Sequence, residues 1–228
     1  MKTITVVTPC FNEEGNVVPL YEAVCAVFDT RKDRYAHEHL FLDNGSTDGT
    51  MTRLRELAAR DRRVKVIRNA RNFGPNRSVF HGFVAARGDA VVLLDADFQD
   101  PPEMIVQFLD RWEAGFQVVY GVRATRAEPL PMRVLRKGYY RLVRFLSGDD
   151  LPVDAGDFRL VDRVVVDVLR EVRDWKPYLR GMIAAVGFRQ TGIPYTRAAR
   201  RSGQTSTSFP SLMDYALNGI ISHSIVPL

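Results

Sequence analysis

Residues 95–99 read Asp-Ala-Asp-Phe-Gln, two carboxylates and a carboxamide at alternate positions behind the apolar run Ala90–Leu94. Such a run is the pattern of a strand buried on both faces. If the chain stays extended past it, Asp95, Asp97 and Gln99 point to one side, because strand side chains alternate with period two. Two carboxylates held side by side repel, and a cation relieves them. Oxygen donors completed by water and phosphate suit Mg²⁺ or Mn²⁺. The carboxyl ends of parallel strands are also where open α/β sheets bind ligands. Asp is common at strand ends and helix caps as well, so the pair alone does not establish a metal site. The neighbouring Asp100 fits a structural role. Asp100-Pro101-Pro102-Glu103 offers an acceptor at the N-cap, Pro at the first helical position and Glu at N3, which is a capping box.

Two further polar clusters close apolar runs. Pro9-Cys10-Phe11-Asn12-Glu13 follows Thr3–Thr8, and Asp43-Asn44-Gly45-Ser46-Thr47-Asp48-Gly49 ends Leu40–Asp43. Each by itself reads as a turn, with Ser46 or Thr47 capping the next helix. Three such clusters closing neighbouring strands are about as many groups as a ribose, a base and a metal-bound diphosphate need in one cleft. The strands expected to position them are Thr3–Thr8, Leu40–Asp43, Val64–Arg68, Ala90–Asp95 and Val118–Tyr120. Helical patterns lie between, at Asn16–Phe28, Thr47–Arg60, Asn76–Arg87 and Pro102–Trp112. That alternation predicts an α/β fold with right-handed crossovers and a mostly parallel sheet. No G-x-G-x-x-G follows a strand and no G-x-x-x-x-G-K-[ST] occurs, which disfavours dinucleotide and P-loop sites.

Taken in order, Pro9-Cys10-Phe11-Asn12-Glu13, Asp43-Asn44-Gly45-Ser46, Asp95-Ala96-Asp97-Phe98-Gln99 and Pro101-Pro102-Glu103 resemble inverting family 2 glycosyltransferases of the GT-A (Rossmann-like) fold. Gly121-Val122-Arg123, Asp154-Ala155-Gly156-Asp157-Phe158-Arg159-Leu160 and Leu179-Arg180-Gly181 resemble its polyprenyl-phosphate branch, with dolichol-phosphate mannosyltransferases and bacterial undecaprenyl-phosphate glycosyltransferases. The resemblance implies that Pro9, Phe11, Asn12, Glu13, Asp43 and Asp95 line the nucleotide pocket. Asp95, Asp97 and Gln99 would hold Mg²⁺ or Mn²⁺ and the donor diphosphate. Arg123, with Arg133 or Arg136, would meet phosphate, and Asp157 would lie near the acceptor. Asp97, Asp157 and Arg123 are thus the expected catalytic groups. Asn44 departs from a second Asp, and Ser206 from a Lys common in the loop after Gly203, which implies either a weaker diphosphate contact or its replacement by Arg200 and Arg201.

The resemblance also implies a division into a donor half (1–125), an acceptor half of the same domain (126–209) and a membrane-proximal segment (210–228), with a transmembrane region absent. A place at the cytoplasmic face of a membrane follows from it. The details around Gly121 and Asp157 favour UDP over GDP.

Composition bears on the partners. The 228 residues, 46% hydrophobic, suffice for one sizeable core. Residues 1–110 hold 14 Lys and Arg against 16 Asp and Glu, whereas residues 111–228 hold 18 against 11. The second half is therefore the one suited to an anionic partner. Pro129–Ser147 reads as a basic amphipathic helix, with Arg133, Arg136, Lys137, Arg141 and Arg144 on one face. It fits either a solvated face or a membrane surface. Short strands are expected around Gly192. Cys10 and Cys25 lack metal or redox spacing and read as reduced and structural. No stretch of 18 apolar residues occurs.

The expected activity is transfer of one sugar from a nucleotide-diphosphate sugar, UDP-hexose or GDP-mannose, to a polyprenyl phosphate at a membrane surface. A soluble or protein acceptor, or a non-catalytic basic domain binding membrane or nucleic acid, is the alternative. With the enzymatic reading no nucleic acid partner is expected, and a homo-oligomer is left open.

Overall fold

The computed structural model describes residues 1–123, 155–172, 174 and 177–198. Its elements run β1 (Lys2–Cys10), α1 (Val17–Asp29), β2 (Tyr35–Asp43), α2 (Thr50–Arg60), β3 (Val64–Arg68), α3 (Pro75–Ala85), β4 (Ala90–Leu93) and α4 (Met104–Glu113). There follow β5 (Val118–Arg123), β6 (Ala155–Asp162), α5 (Arg163–Glu171), α6 (Leu179–Ala185) and β7 (Gln190–Tyr195). The expected helix over 129–147, the loop with Arg200 and Arg201, and the segment 210–228 lie outside the described residues, as do Arg133 and Arg136.

The strands form one seven-stranded sheet, ordered β3-β2-β1-β4-β6-β5-β7. All pairs are parallel except those of β6, which runs antiparallel to both β4 and β5. The carboxyl ends of six strands and the amino end of β6 consequently share one edge. β6 was not foreseen, nor were α5 and α6.

Alternate strand residues feed opposite faces of the sheet. Ile4, Val6, Phe41, Val92, Leu94 and Leu160 join one core cluster with α1, α2 and α4. Val7, Leu40, Leu42, Val91, Leu93 and Val161 join the other with α3, α5 and α6. This explains the unbroken apolar runs of β1 and β4, since neither face meets water. Phe108 and Phe158 are fully buried with ring centroids 4.6 Å apart. Fully buried aromatics of this kind contribute about 3–5 kcal/mol each relative to alanine. At the far edge the Asp162 carboxylate caps α5 by accepting the Val164 N–H at 2.8 Å, an interaction worth about 1 kcal/mol.

Candidate active site

β1, β2 and β3 end in register, Cys10 opposite Asp43 and Asp43 opposite Arg68. Pro9 is in β1, and just past its end Phe11 keeps 38% of its surface exposed. Asn12 then takes a φ of 58°, which Asn tolerates better than most residues. Its N–H donates to Ser46 Oγ at 3.0 Å, and its Oδ1 accepts the Thr47 N–H at 2.9 Å. The Glu13 N–H donates to Thr50 Oγ1 at 2.9 Å, while Glu13 Oε2 accepts from Asn16. The loops after β1 and β2 are thereby laced into one unit. Ser46 and Thr47 are occupied there and do not cap α2, as had been expected. Asp48 Oδ1 instead accepts the Thr50 N–H at 3.0 Å.

Asp43 lies at the centre of this unit and is fully buried. Its Oδ1 accepts the Ser46 N–H at 3.1 Å. Oδ2 has no hydrogen-bond partner among the described residues, with the Arg68 Nε 3.6 Å away. Asn44, at the departure from Asp, has a different task. Its Oδ1 accepts from Asn69 and from the Phe73 N–H, and its Nδ2 donates to Asn72 at 2.8 Å. A carboxylate could accept the first two but not donate the third. Its partners Asn69 and Phe73 line a cavity of about 420 Å³ together with Arg71 and Arg77.

The loop after β4 corrects two expectations. The strand stops at Leu93, the chain turns at Ala96–Asp97, and Phe98 takes a φ of 57°. Side-chain alternation therefore does not align Asp95, Asp97 and Gln99. They stand instead on a tight loop in which Asp97 Oδ1 accepts the Gln99 N–H at 3.1 Å. Asp100 is not a helix cap. α4 begins at Met104 with no side-chain cap, and the Asp100 carboxylate, 1% exposed, accepts the Tyr195 hydroxyl. Its Oδ1 lies 3.4 Å from the Arg197 Nε.

Arg123 closes β5 opposite Tyr195 of β7, and its buried Nε has no hydrogen-bond partner among the described residues. Asp157 sits near the start of β6, half-exposed, with Oδ1 2.9 Å from Arg180 and 3.8 Å from Arg159. Arg159 is itself held by the carbonyls of Gly156 and Asp157. The surrounding protein desolvates the Asp157 carboxylate in part, which pushes its pKa up, but Arg180, Arg159 and Arg123 outweigh this and keep it below its ordinary range.

One sheet edge thus brings together Asp43, Asp95, Asp97, Gln99, Arg123 and Asp157. Sequence reasoning gave no role to Arg68, Arg159, Arg180, Tyr195 or Arg197, and gave Asp100 only that of a helix cap. The Asp157–Arg159 pair was detectable, since i and i+2 share a face of a strand.

Asp95 is the most perturbed carboxyl of the group. Burial, then Asp100, Asp157 and Asp97, push its pKa up to about 7. A divalent cation is what would hold it ionised, so the donor set fits one. Among the described residues no three His, Cys, Asp or Glu side chains form a cage. A cation held at the expected ligands Asp95, Asp97 and Gln99 would therefore have to take much of its shell from water and phosphate, as Mg²⁺ commonly does.

Stability should register these groups. Folded Asp95 takes a proton near pH 7, whereas an unfolded Asp waits until about 3.9. Its contribution therefore rises as pH falls. His37 and His39 run the other way. Burial, with Arg63 beside His37 and His37 beside His39, pushes them down to about 4 and about 3. The unfolded chain binds both protons from about pH 6.5 downward. For these three groups the balance is about one proton favouring unfolding, or roughly 1.4 kcal/mol per pH unit between pH 6 and 4.5, and Asp100, which burial also pushes up, lessens it. Urea midpoints should fall over that window, and Asp95→Asn should steepen the fall. A flat midpoint would contradict the assignment.

The sequence model described as glycosyl transferase family 2 matches residues 5–170. The uncharacterized glycosyltransferase YkcC of Bacillus subtilis (strain 168) is 37% identical over 98% of this chain and 69% of its own length. The prophage bactoprenol glucosyl transferase homolog of Escherichia coli (strain K12) is 33% identical over 99% of this chain and 73% of its own. Among solved structures, glucosyl-3-phosphoglycerate synthase from Mycobacterium tuberculosis, in complex with Mn²⁺, UDP and phosphoglyceric acid, superposes with a TM-score of 0.63. It is 20% identical and is matched over 97% of this chain and 77% of that one. At that identity the likeness is one of fold, and the fold is GT-A.

Proposed function

The chain belongs to glycosyl transferase family 2, and on that premise we propose that it moves a single hexose from a nucleotide-diphosphate sugar to a polyprenyl phosphate with inversion. The observation that carries this reading is the facing of the Asp95–Asp97 loop by Arg123 and the Asp157–Arg180 pair on one sheet edge. A donor diphosphate and an acceptor phosphate both need cationic partners there. The acceptor class is supported by the relatives named bactoprenol glucosyl transferase. Fold neighbours have been crystallised with UDP and with GDP-mannose, each with Mn²⁺, so the choice of UDP rests on the sequence resemblance and is what the titration below decides.

Asp43, whose Oδ2 accepts no hydrogen bond among the described residues, takes a ribose hydroxyl, and the exposed Phe11 offers a flat face to the base. Asp95, Asp97 and Gln99 would hold Mg²⁺ or Mn²⁺, which supplies electrostatic stabilisation of the departing diphosphate. Arg123 binds phosphate oxygens and fixes the donor for in-line attack. The acceptor phosphate oxygen bonds to the anomeric carbon as the carbon–oxygen bond to the diphosphate breaks, and the electron pair leaves with the nucleoside diphosphate. A phosphomonoester has its second pKa near about 6 and is largely dianionic at neutral pH, so no residue has to remove a proton from it. Asp157, held ionised by arginines, orients Arg180 and Arg159 toward the acceptor and acts as no base.

Calorimetric titration of the chain with UDP, GDP and their sugars, with Mn²⁺ or with EDTA, tests the donor half. UDP should bind about tenfold or more tighter with Mn²⁺, as removal of so strong an electrostatic partner typically costs at least that. Indifference of every nucleotide to the metal would overturn the reading.

The basic half meets the membrane that holds the acceptor's tail, on the cytoplasmic side where the donor is supplied. Among the described residues no helix is long and apolar enough to cross a bilayer. Each basic side chain near an anionic surface contributes about 1 kcal/mol. Co-sedimentation with anionic vesicles should appear at low salt and largely vanish by roughly 0.5 M, where screening is nearly complete. Binding that persists there would mean apolar insertion instead.

A further inference from the structure

Tyr195 lies across the glycines of two neighbouring strands. A Cβ on Gly121 would come 2.7 Å from its ring, and one on Gly156 would come 3.5 Å from its hydroxyl. A tyrosine ring cannot retreat as a flexible chain end would, so Gly121 is what admits it. From this cradle the hydroxyl donates to Asp100, and Arg123 also acts on it. Arg197 approaches the same Asp100 oxygen at 3.4 Å, and the Ala198 N–H donates to the Gln99 carbonyl at 3.0 Å. Side chain and backbone together fasten the loop that carries Asp97 and Gln99 to the ends of β5 and β7.

We propose that Asp100 and Tyr195 are positioning residues: they lock the carboxylate loop after β4 against Arg123 and Arg197 and so set where the donor diphosphate is held. The proposal rests on the donor reading above for its kinetic consequence, though not for the lock itself. Asp100 supplies a buried anion for arginines whose Nε atoms, on Arg123 and Arg197, make no hydrogen bond among the described residues. The glycine of Gly121-Val122-Arg123 acquires a purpose as well, since it seats the tyrosine that aligns the arginine two residues on.

Tyr195→Phe is the primary test, because it removes one hydroxyl and keeps the buried ring. Hydrogen exchange reads the lock without turnover. Amides of residues 97–100 and 196–198 should exchange faster in Tyr195→Phe than in the parent, while those of β1 and β2 stay unchanged. Kinetics read the consequence. kcat should fall about tenfold or more with the donor KM within about threefold, since misplacement of about 1 Å can cost two orders of magnitude. Gly121→Ala should reproduce this, and Asp100→Asn, which still accepts from Tyr195, should lose less than Asp100→Ala. Tyr195→Phe added to Asp100→Ala should cost little more, because the two act through one bond. Parental exchange in Tyr195→Phe would overturn the lock. Faster exchange with parental kcat would overturn its role in positioning. A parent that binds no nucleotide sugar would sink the donor reading, and the exchange result would still decide the lock.

Discussion

Asp97→Ala is expected to lower kcat/KM by at least about 10²–10³ and to abolish metal-dependent nucleotide binding while leaving the domain folded. The carboxylate is 5% exposed and does two things. It offers an oxygen to the cation, and its Oδ1 accepts the Gln99 N–H that curls the loop. The second task contributes about 1 kcal/mol, far too little for the whole expected loss. Asp97→Asn separates them, because an amide oxygen still accepts the Gln99 N–H but binds a divalent ion poorly. It should restore thermal stability and leave activity low. Either variant turning over within about tenfold of the parent in Mn²⁺ would be incompatible with a metal role of the size such stabilisers usually have.

Arg123→Lys is the second large effect. Lysine keeps the charge and loses the planar fork that matches two phosphate oxygens. Arg123 ends β5 with its buried Nε making no hydrogen bond among the described residues, and that donor of the fork would vanish with the substitution. A lost hydrogen bond to a charged group costs about 1.5–3 kcal/mol, or roughly 10- to 100-fold. The loss should fall on turnover, with UDP affinity changed about threefold or less, because the arginine is spent on the transition state rather than on the nucleoside. Steady-state kinetics beside calorimetry reads the split. Equal turnover in parent and variant would assign the phosphate to another arginine.

Much of the site was legible because parallel strands buried on both faces write themselves as apolar runs. A polar residue right after such a run must then lie at a sheet edge. That logic located Asn12, Asp43, Asp95 and Asp97, and it held for Arg123. It failed where distant partners override local pattern. Asp100-Pro101-Pro102-Glu103 has the form of a capping box, yet Tyr195, 95 residues away, takes the carboxylate. Alternation placed Asp95, Asp97 and Gln99 on one side, but β4 stops at Leu93 and Phe98 turns through positive φ. β6 could not be placed because its partners, β4 and β5, are joined to it only through long-range antiparallel pairing. With β6 comes Asp157, and with β7 comes the tyrosine that ties the two halves of the edge together.

The most direct measurement is transfer itself. The full chain would be incubated with Mn²⁺ and UDP-glucose or GDP-mannose, labelled in the sugar, and with either undecaprenyl phosphate in detergent or phosphoglyceric acid in buffer. Label should pass into the organic phase with the polyprenyl phosphate only, stop on addition of EDTA, and be released from the lipid by mild acid as one hexose. Label that stays in water with every nucleotide sugar, or that moves to phosphoglycerate instead, would contradict transfer to a polyprenyl phosphate.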